Sequence, residues 1–133
     1  MELKDQRSQQ RNRNTDLIYV VDDEPMLLEM AREVLEAEGY EVRTYGNANA
    51  ALRAYKQEGR RPCIILTDFS MRKMNGLEFT AACRRINPTV KVAVVSGSME
   101  SDSFATFDEK PDGFLPKPYS HRELVRLVRS LTK

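Results

Sequence analysis

The sequence has no apolar stretch approaching about eighteen residues and no hydrophobic leader, which argues against a membrane-spanning helix and against export. Cysteine is scarce. Cys63, inside an apolar run, and Cys83, in a helical stretch, give neither a disulfide framework nor a zinc-ligand spacing, so both read as core thiols in a reducing cytoplasm. The single histidine, His121, falls in the first turn of a helix, where a surface role outweighs a catalytic one. Charge of one sign is missing as well: 21 Lys and Arg against 20 Asp and Glu leave a formal net charge of +1, so bulk charge points to neither a membrane nor directly bound nucleic acid. Residues 1–16 have almost no apolar side chains and many Gln, Asn and Arg. Burial there cannot offset the entropy of ordering, and a disordered tail is expected. With 41% apolar and 31% charged residues, the remaining 17–133 have enough chain for one domain with a real core and no room for a second.

What is present is an alternation of short apolar runs and segments of helical spacing. Leu17 to Val21 reads as a buried strand that stops at Asp22-Asp23-Glu24, and Pro25 suits the first turn of a helix carried by Leu27, Met30, Ala31, Val34 and Leu35 and ended by Gly39. Glu41 to Tyr45 reads as an edge strand, and Asn47 can cap a helix running to about Gln57. Cys63 to Thr67 is the third strand, broken off at Asp68; after an irregular loop, Asn75 and Gly76 open a helix with Phe79, Ala82, Cys83 and Ile86 on one face. Lys91 to Val95 is the fourth strand, ending at Ser96-Gly97. Met99 to Glu109 is the weakest helix, expected to be short and mobile. Phe114 to Pro116 forms a fifth strand ending at Lys117-Pro118, and Ser120 with Glu123 makes a capping box for a last helix carrying Leu124, Val125, Leu127, Val128 and Leu131.

Strands alternating with helices through right-handed crossovers give an α/β, doubly wound parallel sheet, whose strand ends share one edge. Ligands bind at that edge. Four of the five strands stop at a reactive polar residue: Asp22/Asp23, Asp68, Ser96 and Lys117. Each has a plain alternative, since Asp22, Asp23 or Asp68 can cap a helix and Ser96 can simply end a strand. Together they suggest a site. Two carboxylates about 4 Å apart repel by roughly 4 kcal/mol at an effective dielectric near 20, so a cluster of three calls for a cation. All-oxygen ligands with open positions favour Mg²⁺, which leaves one carboxylate available as a nucleophile toward phosphorus. Asp68 fits that role, with the Lys117 ammonium and the Ser96 hydroxyl serving the phosphoryl oxygens.

In order along the chain, Val21-Asp22-Asp23-Glu24-Pro25, Asp68 with Met71 and Met74-Asn75-Gly76, Val95-Ser96-Gly97, and Phe114 through Lys117-Pro118 resemble the receiver domain of two-component response regulators, over about residues 16–133. The resemblance implies a flavodoxin-like sheet of strand order 2-1-3-4-5 with five helices. It implies that Asp68 is the phosphoacceptor, that Asp23, Asp68 and the Ser70 backbone carbonyl bind Mg²⁺ directly, and that Asp22 binds it through water. Lys117 pairs with the phosphoryl group, the Lys117-Pro118 peptide is cis, and Ser96 and Phe114 form a switch acting on the Met99-to-Glu109 helix, the fifth strand and the last helix. The phosphodonor is then a histidine kinase or a histidine phosphotransfer protein. The downstream partner is a protein bound at that switching face, through which the chain can also form a homodimer. Chemistry is limited to self-phosphorylation and self-dephosphorylation in a stand-alone cytoplasmic receiver with no output domain after Lys133.

Three positions depart from the family pattern. Arg72 stands where proline is usual, Phe114 lacks a tyrosine hydroxyl, and Asp108 to Asp112 lacks the usual small residues and contains Pro111. Ser70 and Ser98, both small, imply an intermediate lifetime for the phosphorylated form. Two other readings stand beside it, one sharing the chemistry and one the fold. A Mg²⁺-dependent aspartyl phosphatase would want an acid where Ser70 stands. A phosphate-independent interaction module is suggested by Arg72 and the weak helix.

Overall fold

The computed structural model describes residues 16–57, 59–71, 73–97 and 110–132. Five strands, β1 (Leu17–Val21), β2 (Glu41–Tyr45), β3 (Ile64–Asp68), β4 (Lys91–Ser96) and β5 (Gly113–Pro116), form one parallel sheet in the order β2-β1-β3-β4-β5. Among the described residues there are four helices, α1 (Pro25–Ala37), α2 (Ala48–Gln57), α3 (Gly76–Ile86) and α4 (His121–Leu131). The tail (1–15), Arg72, Ser98 and the helix expected from Met99 to Glu109 lie outside the described residues.

β1 and β3 are buried along their whole length, as apolar branched runs in a sheet covered on both faces should be. Side chains alternate between the two faces. Ile18, Val20, Ile64, Leu66, Ala93, Val95 and Leu115 meet α1 through Ala31 and Leu35 and α4 through Leu124 and Val128. Tyr19, Val21, Ile65, Val92 and Val94 meet α2 and α3 on the other face through Ala51, Tyr55, Leu77, Phe79 and Cys83. A fully buried Ile or Leu contributes about 1.5–3 kcal/mol relative to exposure, so these two layers fix the position of every strand end.

The helix ends carry their own signals. The Asn75 side chain accepts from the Leu77 and Glu78 N–H groups, and the Glu78 carboxylate accepts from the Asn75 N–H, completing a capping box. Ser120 and Glu123 do the same for α4, and Asn47 accepts from the Ala50 N–H at the start of α2. Gly39 closes α1 at a φ of 98°, a conformation that favours glycine.

At the sheet's opposite end the start of β5 is fixed twice. The Asp112 N–H donates to the Val92 carbonyl at 2.7 Å, while the Asp112 carboxylate accepts from the Val92 N–H at 2.8 Å and from the Arg84 guanidinium of α3 at 2.6 Å. Arg84 also donates to the Lys110 carbonyl at 2.7 Å. The free thiols are the core groups expected: burial pushes Cys63 up to about 11 and Cys83 up to about 12.

Candidate functional site

The parallel register brings the polar strand ends to one edge. Val21 lies opposite both Tyr45 and Thr67, so Asp22, the next residue, falls beside Asp68 at the end of β3. Asp68 in turn lies opposite Val95, and Ser96 opposite Pro116, which sets Lys117 just beyond the same edge. Carboxylate oxygens of Asp22, Asp23 and Asp68 lie within 4.8 Å of one another. Asp22 and Asp68 are only 5% and 7% exposed, whereas Asp23 faces solvent.

Lys117 provides the counter-charge. Its Nζ is 3.2 Å from Asp68 Oδ1, 3.5 Å from Asp22 Oδ2 and 3.8 Å from Glu24 Oε1. The backbone holds it there: the Lys117 N–H donates to the Ser96 carbonyl at 2.7 Å, and the Lys117-Pro118 peptide is cis, as the resemblance implied. Burial raises the Asp68 pKa, and the neighbouring Asp22 charge adds to it, against the opposing pull of Lys117. Asp22 is also raised by burial, although the Glu24 N–H, donating at 2.9 Å, and Lys117 both favour its ionised form. For Lys117, burial works against the charged form, but the attraction of Asp22 and Asp68 is larger and the ammonium is held above the usual lysine value. One cation is therefore shared by two buried carboxylates, with a third alongside.

Ser96 is 1% exposed, and among the described residues its hydroxyl has no hydrogen-bond partner. A buried hydroxyl without a partner is costly, which suits a group kept ready for an acceptor that arrives later. Phe114 is half-buried and rests against the cluster containing Val92 and Val94. Ser70 is exposed in the loop two residues past Asp68. The start of α3 presses on that loop: a Cβ at Gly76 would lie 2.8 Å from the Asp68 carbonyl oxygen and 3.0 Å from the Phe69 Cα. The Gly76 N–H donates to the Phe69 carbonyl at 2.8 Å, and the Phe69 N–H to Val95 at 2.8 Å.

Asp22, Asp23, Asp68, Ser70, Ser96 and Lys117 thus lie along one edge, while Phe114 sits further back, inside β5. Two neighbours were not among them. Glu24 extends the acidic cluster to Lys117, and its place in the Asp22-Asp23-Glu24 run was the available signal. Tyr119, directly after the Lys-Pro pair, is half-buried, and its hydroxyl is raised by burial and then by the Asp22 charge.

Three close carboxylates, two of them buried, form an all-oxygen donor set that suits a small hard cation, and Mg²⁺ fits it better than a metal preferring nitrogen or sulfur. No helix among the described residues is long and apolar enough to cross a membrane.

Comparison with known proteins agrees with this geometry. The sequence model of the response regulator receiver domain matches residues 18–129. The chain is 31% identical over 117 residues to the probable transcriptional regulatory protein TcrX of Mycobacterium tuberculosis, covering 87% of this chain and 49% of TcrX. It is 32% identical over 116 residues to the DNA-binding response regulator MtrA of Mycolicibacterium smegmatis, covering 85% and 49%. The chain spans about half the length of the curated relatives it matches. Among solved structures, a response regulator receiver domain protein from Clostridium thermocellum superposes with a TM-score of 0.80 at 25% identity, covering 87% of this chain and 93% of that one. A CheY-like receiver domain protein from Methanospirillum hungatei gives 0.80 at 26%, covering 89% and 94%. With carboxylates, hydroxyl and ammonium gathered at one sheet edge and the family match spanning nearly all the described residues, the chain belongs to the response regulator receiver domain family.

Proposed function

We propose that this chain is a phosphoacceptor of a two-component or phosphorelay system, taking a phosphoryl group on Asp68 from a phosphohistidine of a histidine kinase or phosphotransfer protein. An Asp68 carboxylate oxygen forms a bond to phosphorus as the bond from phosphorus to the donor imidazole breaks. The observation that carries the reading is Lys117 Nζ at 3.2 Å from Asp68 and 3.5 Å from Asp22, beside a buried and unpartnered Ser96 hydroxyl. Asp22, Asp23, Asp68 and the Ser70 backbone carbonyl would hold Mg²⁺. When bound, the ion supplies positive charge for the phosphoryl oxygens. Lys117 neutralises a second oxygen and Ser96 donates its hydroxyl to a third.

The signal then passes through the polar edge to the strand and helix behind it. Ser96 leaves its buried position for the new acceptor, and Phe114, opposite Val94 two residues back along the β4–β5 ladder, responds to the space left behind. The downstream partner is a protein reading β5 and α4 together with the Met99-to-Glu109 segment. Residues 17–133 act as the receiver unit, with 1–16 as an N-terminal tail.

The test is labelling with acetyl phosphate and Mg²⁺. A single acid-stable, hydroxylamine-labile phosphoryl group on Asp68, absent from Asp68→Asn, is expected. Absence of the label refutes the proposal. Steady turnover of a small phosphoester favours an aspartyl phosphatase, and a partner affinity unchanged by Asp68→Asn favours a phosphate-independent module.

A further inference from the structure

Helices α1 and α4 cover the same face of the sheet and run parallel to each other: α1 crosses back from β1 to β2, and α4, after β5, brings Leu127 and Leu131 back over Gly113 at the start of that strand. A groove of about 750 Å³ runs between them, with Val34 and Ala37 of α1 and Val125 of α4 among the residues that line it. On α1, Glu29, Glu33 and Glu36 are exposed at spacings of four and three residues, which aligns them along one stripe. On α4, Arg122, Arg126 and Arg129 are exposed at the same two spacings. Arg129 pairs with Glu38. Among the described residues, Glu29, Glu33, Glu36, Arg122 and Arg126 form no ion pair.

Each stripe places like charges four residues apart, an arrangement that destabilises an isolated helix unless the opposite charge comes from outside. A purely acidic partner would satisfy the arginines and be repelled by the glutamates, and a basic partner would do the reverse. The surface that complements both stripes, at their own spacing, is a second copy of this face. A two-fold axis lying between the two faces and parallel to the helices sets α1 of one copy over α4 of the other, twice. The two grooves then meet at the centre, their Val34, Ala37 and Val125 side chains flanked by charged ones such as Glu38, Arg122 and Arg126. An axis perpendicular to the helices would instead stack α1 on α1 and α4 on α4, like charge on like charge.

We propose that this face mediates an isologous homodimer in which Glu29, Glu33 and Glu36 of α1 meet Arg122 and Arg126 of the second copy's α4, around a core of Val34, Ala37 and Val125. The interface is separate from the switching face expected from the sequence, and it depends on the charge of two helices rather than on phosphotransfer at Asp68. Its electrostatic part weakens with salt.

The test uses two charge-reversal variants, Arg122→Glu/Arg126→Glu and Glu29→Arg/Glu33→Arg, and sedimentation velocity of the unphosphorylated chain at low and high salt. Glu and Arg have similar helix propensity, so both variants retain their helices, which circular dichroism checks. The native chain is expected to dimerise, more weakly at high salt. Either variant alone carries predominantly one sign on the two stripes, with only Arg129 or Glu36 left of the other, and should associate at least ~10-fold more weakly. An equimolar mixture should restore the dimer, because each copy then presents what the other lacks. A native chain that stays monomeric, a variant that dimerises by itself as well as the native chain, or a mixture that remains monomeric overturns the proposal.

Discussion

Replacing Asp68 with Asn is expected to make the metal-free protein more stable, although it removes the central carboxylate of the site. At separations of no more than 4.8 Å, Asp68 is repelled by each of Asp22 and Asp23 with at least about 3.5 kcal/mol at an effective dielectric near 20. Its attraction to Lys117 at 3.2 Å is about 5 kcal/mol on the same scale. Two repulsions therefore exceed one attraction by about 2 kcal/mol. Screening of the solvent-facing Asp23 reduces the expected gain to about 1 kcal/mol. The titration of Asp68 has the same sign. Folding raises its pKa, so the folded state holds the proton more tightly than the unfolded chain, and stability falls as pH rises through the folded value. Above that raised pKa the ionised carboxylate is a cost that Asn does not carry. Urea unfolding in chelator at pH 7 and low salt should show a higher midpoint for Asp68→Asn, and the gap should close as pH falls through the raised Asp68 pKa. Saturating Mg²⁺ should reverse the order, since a ligand at a hundred times its dissociation constant stabilises its folded host by about 2.7 kcal/mol and the variant lacks one ligand. A metal-free variant less stable than the native chain at pH 7, or a gap unaffected by acid, refutes the argument from crowded carboxylates.

Lys117→Met leaves Asp22 and Asp68 without their cation and should cost about 2–3 kcal/mol at pH 7, much of it recovered in the double variant with Asp68→Asn, as a double-mutant cycle would measure. In the native chain the raised Lys117 pKa keeps its stabilising charge present throughout neutral pH, to be lost only as pH rises through that folded value in alkaline unfolding. Gly76→Ala places a methyl group 2.8 Å from the Asp68 carbonyl oxygen, so a loss of about 1–3 kcal/mol in urea unfolding and slower labelling by acetyl phosphate are expected. With thiols raised to about 11 and about 12, Cys63 and Cys83 should stay unreactive to a thiol reagent at pH 8 in the native protein and react fully once it is unfolded.

Most of the described fold was legible because hydrophobic period and end signals agreed along the chain. Leu17–Val21, Glu41–Tyr45 and Ala48–Gln57 form as read, and the Ser120/Glu123 capping box is present. Boundaries moved by a residue where pairing with a neighbour decides them: β3 starts at Ile64 and extends through Asp68, and β4 reaches Ser96, because those residues still have partners across the ladder. The site was legible for a topological reason, since a parallel sheet carries every strand end to one edge. What could not be read was long-range and polar. Arg84 and Asp112 are 28 positions apart, and Asp112-Gly113 reads locally as a turn, with nothing to announce an ion pair to α3. Gly76 opened a helix in the sequence, but its need for bareness comes from the Asp68 carbonyl, a contact between segments.

The double fixing of Asp112 has a mechanical side. β5 is a short rod clamped at its first residues to β4 and α3, while its other tip carries Lys117. Because β5 is also paired with β4 along its length and bonded to it at that tip, through the Lys117 N–H and the Ser96 carbonyl, a pull on the Lys117 ammonium loads both strands together. Phe114 sits midway along this coupled pair, and loosening the clamp with Arg84→Ala would free its starting end without touching a single group of the polar edge.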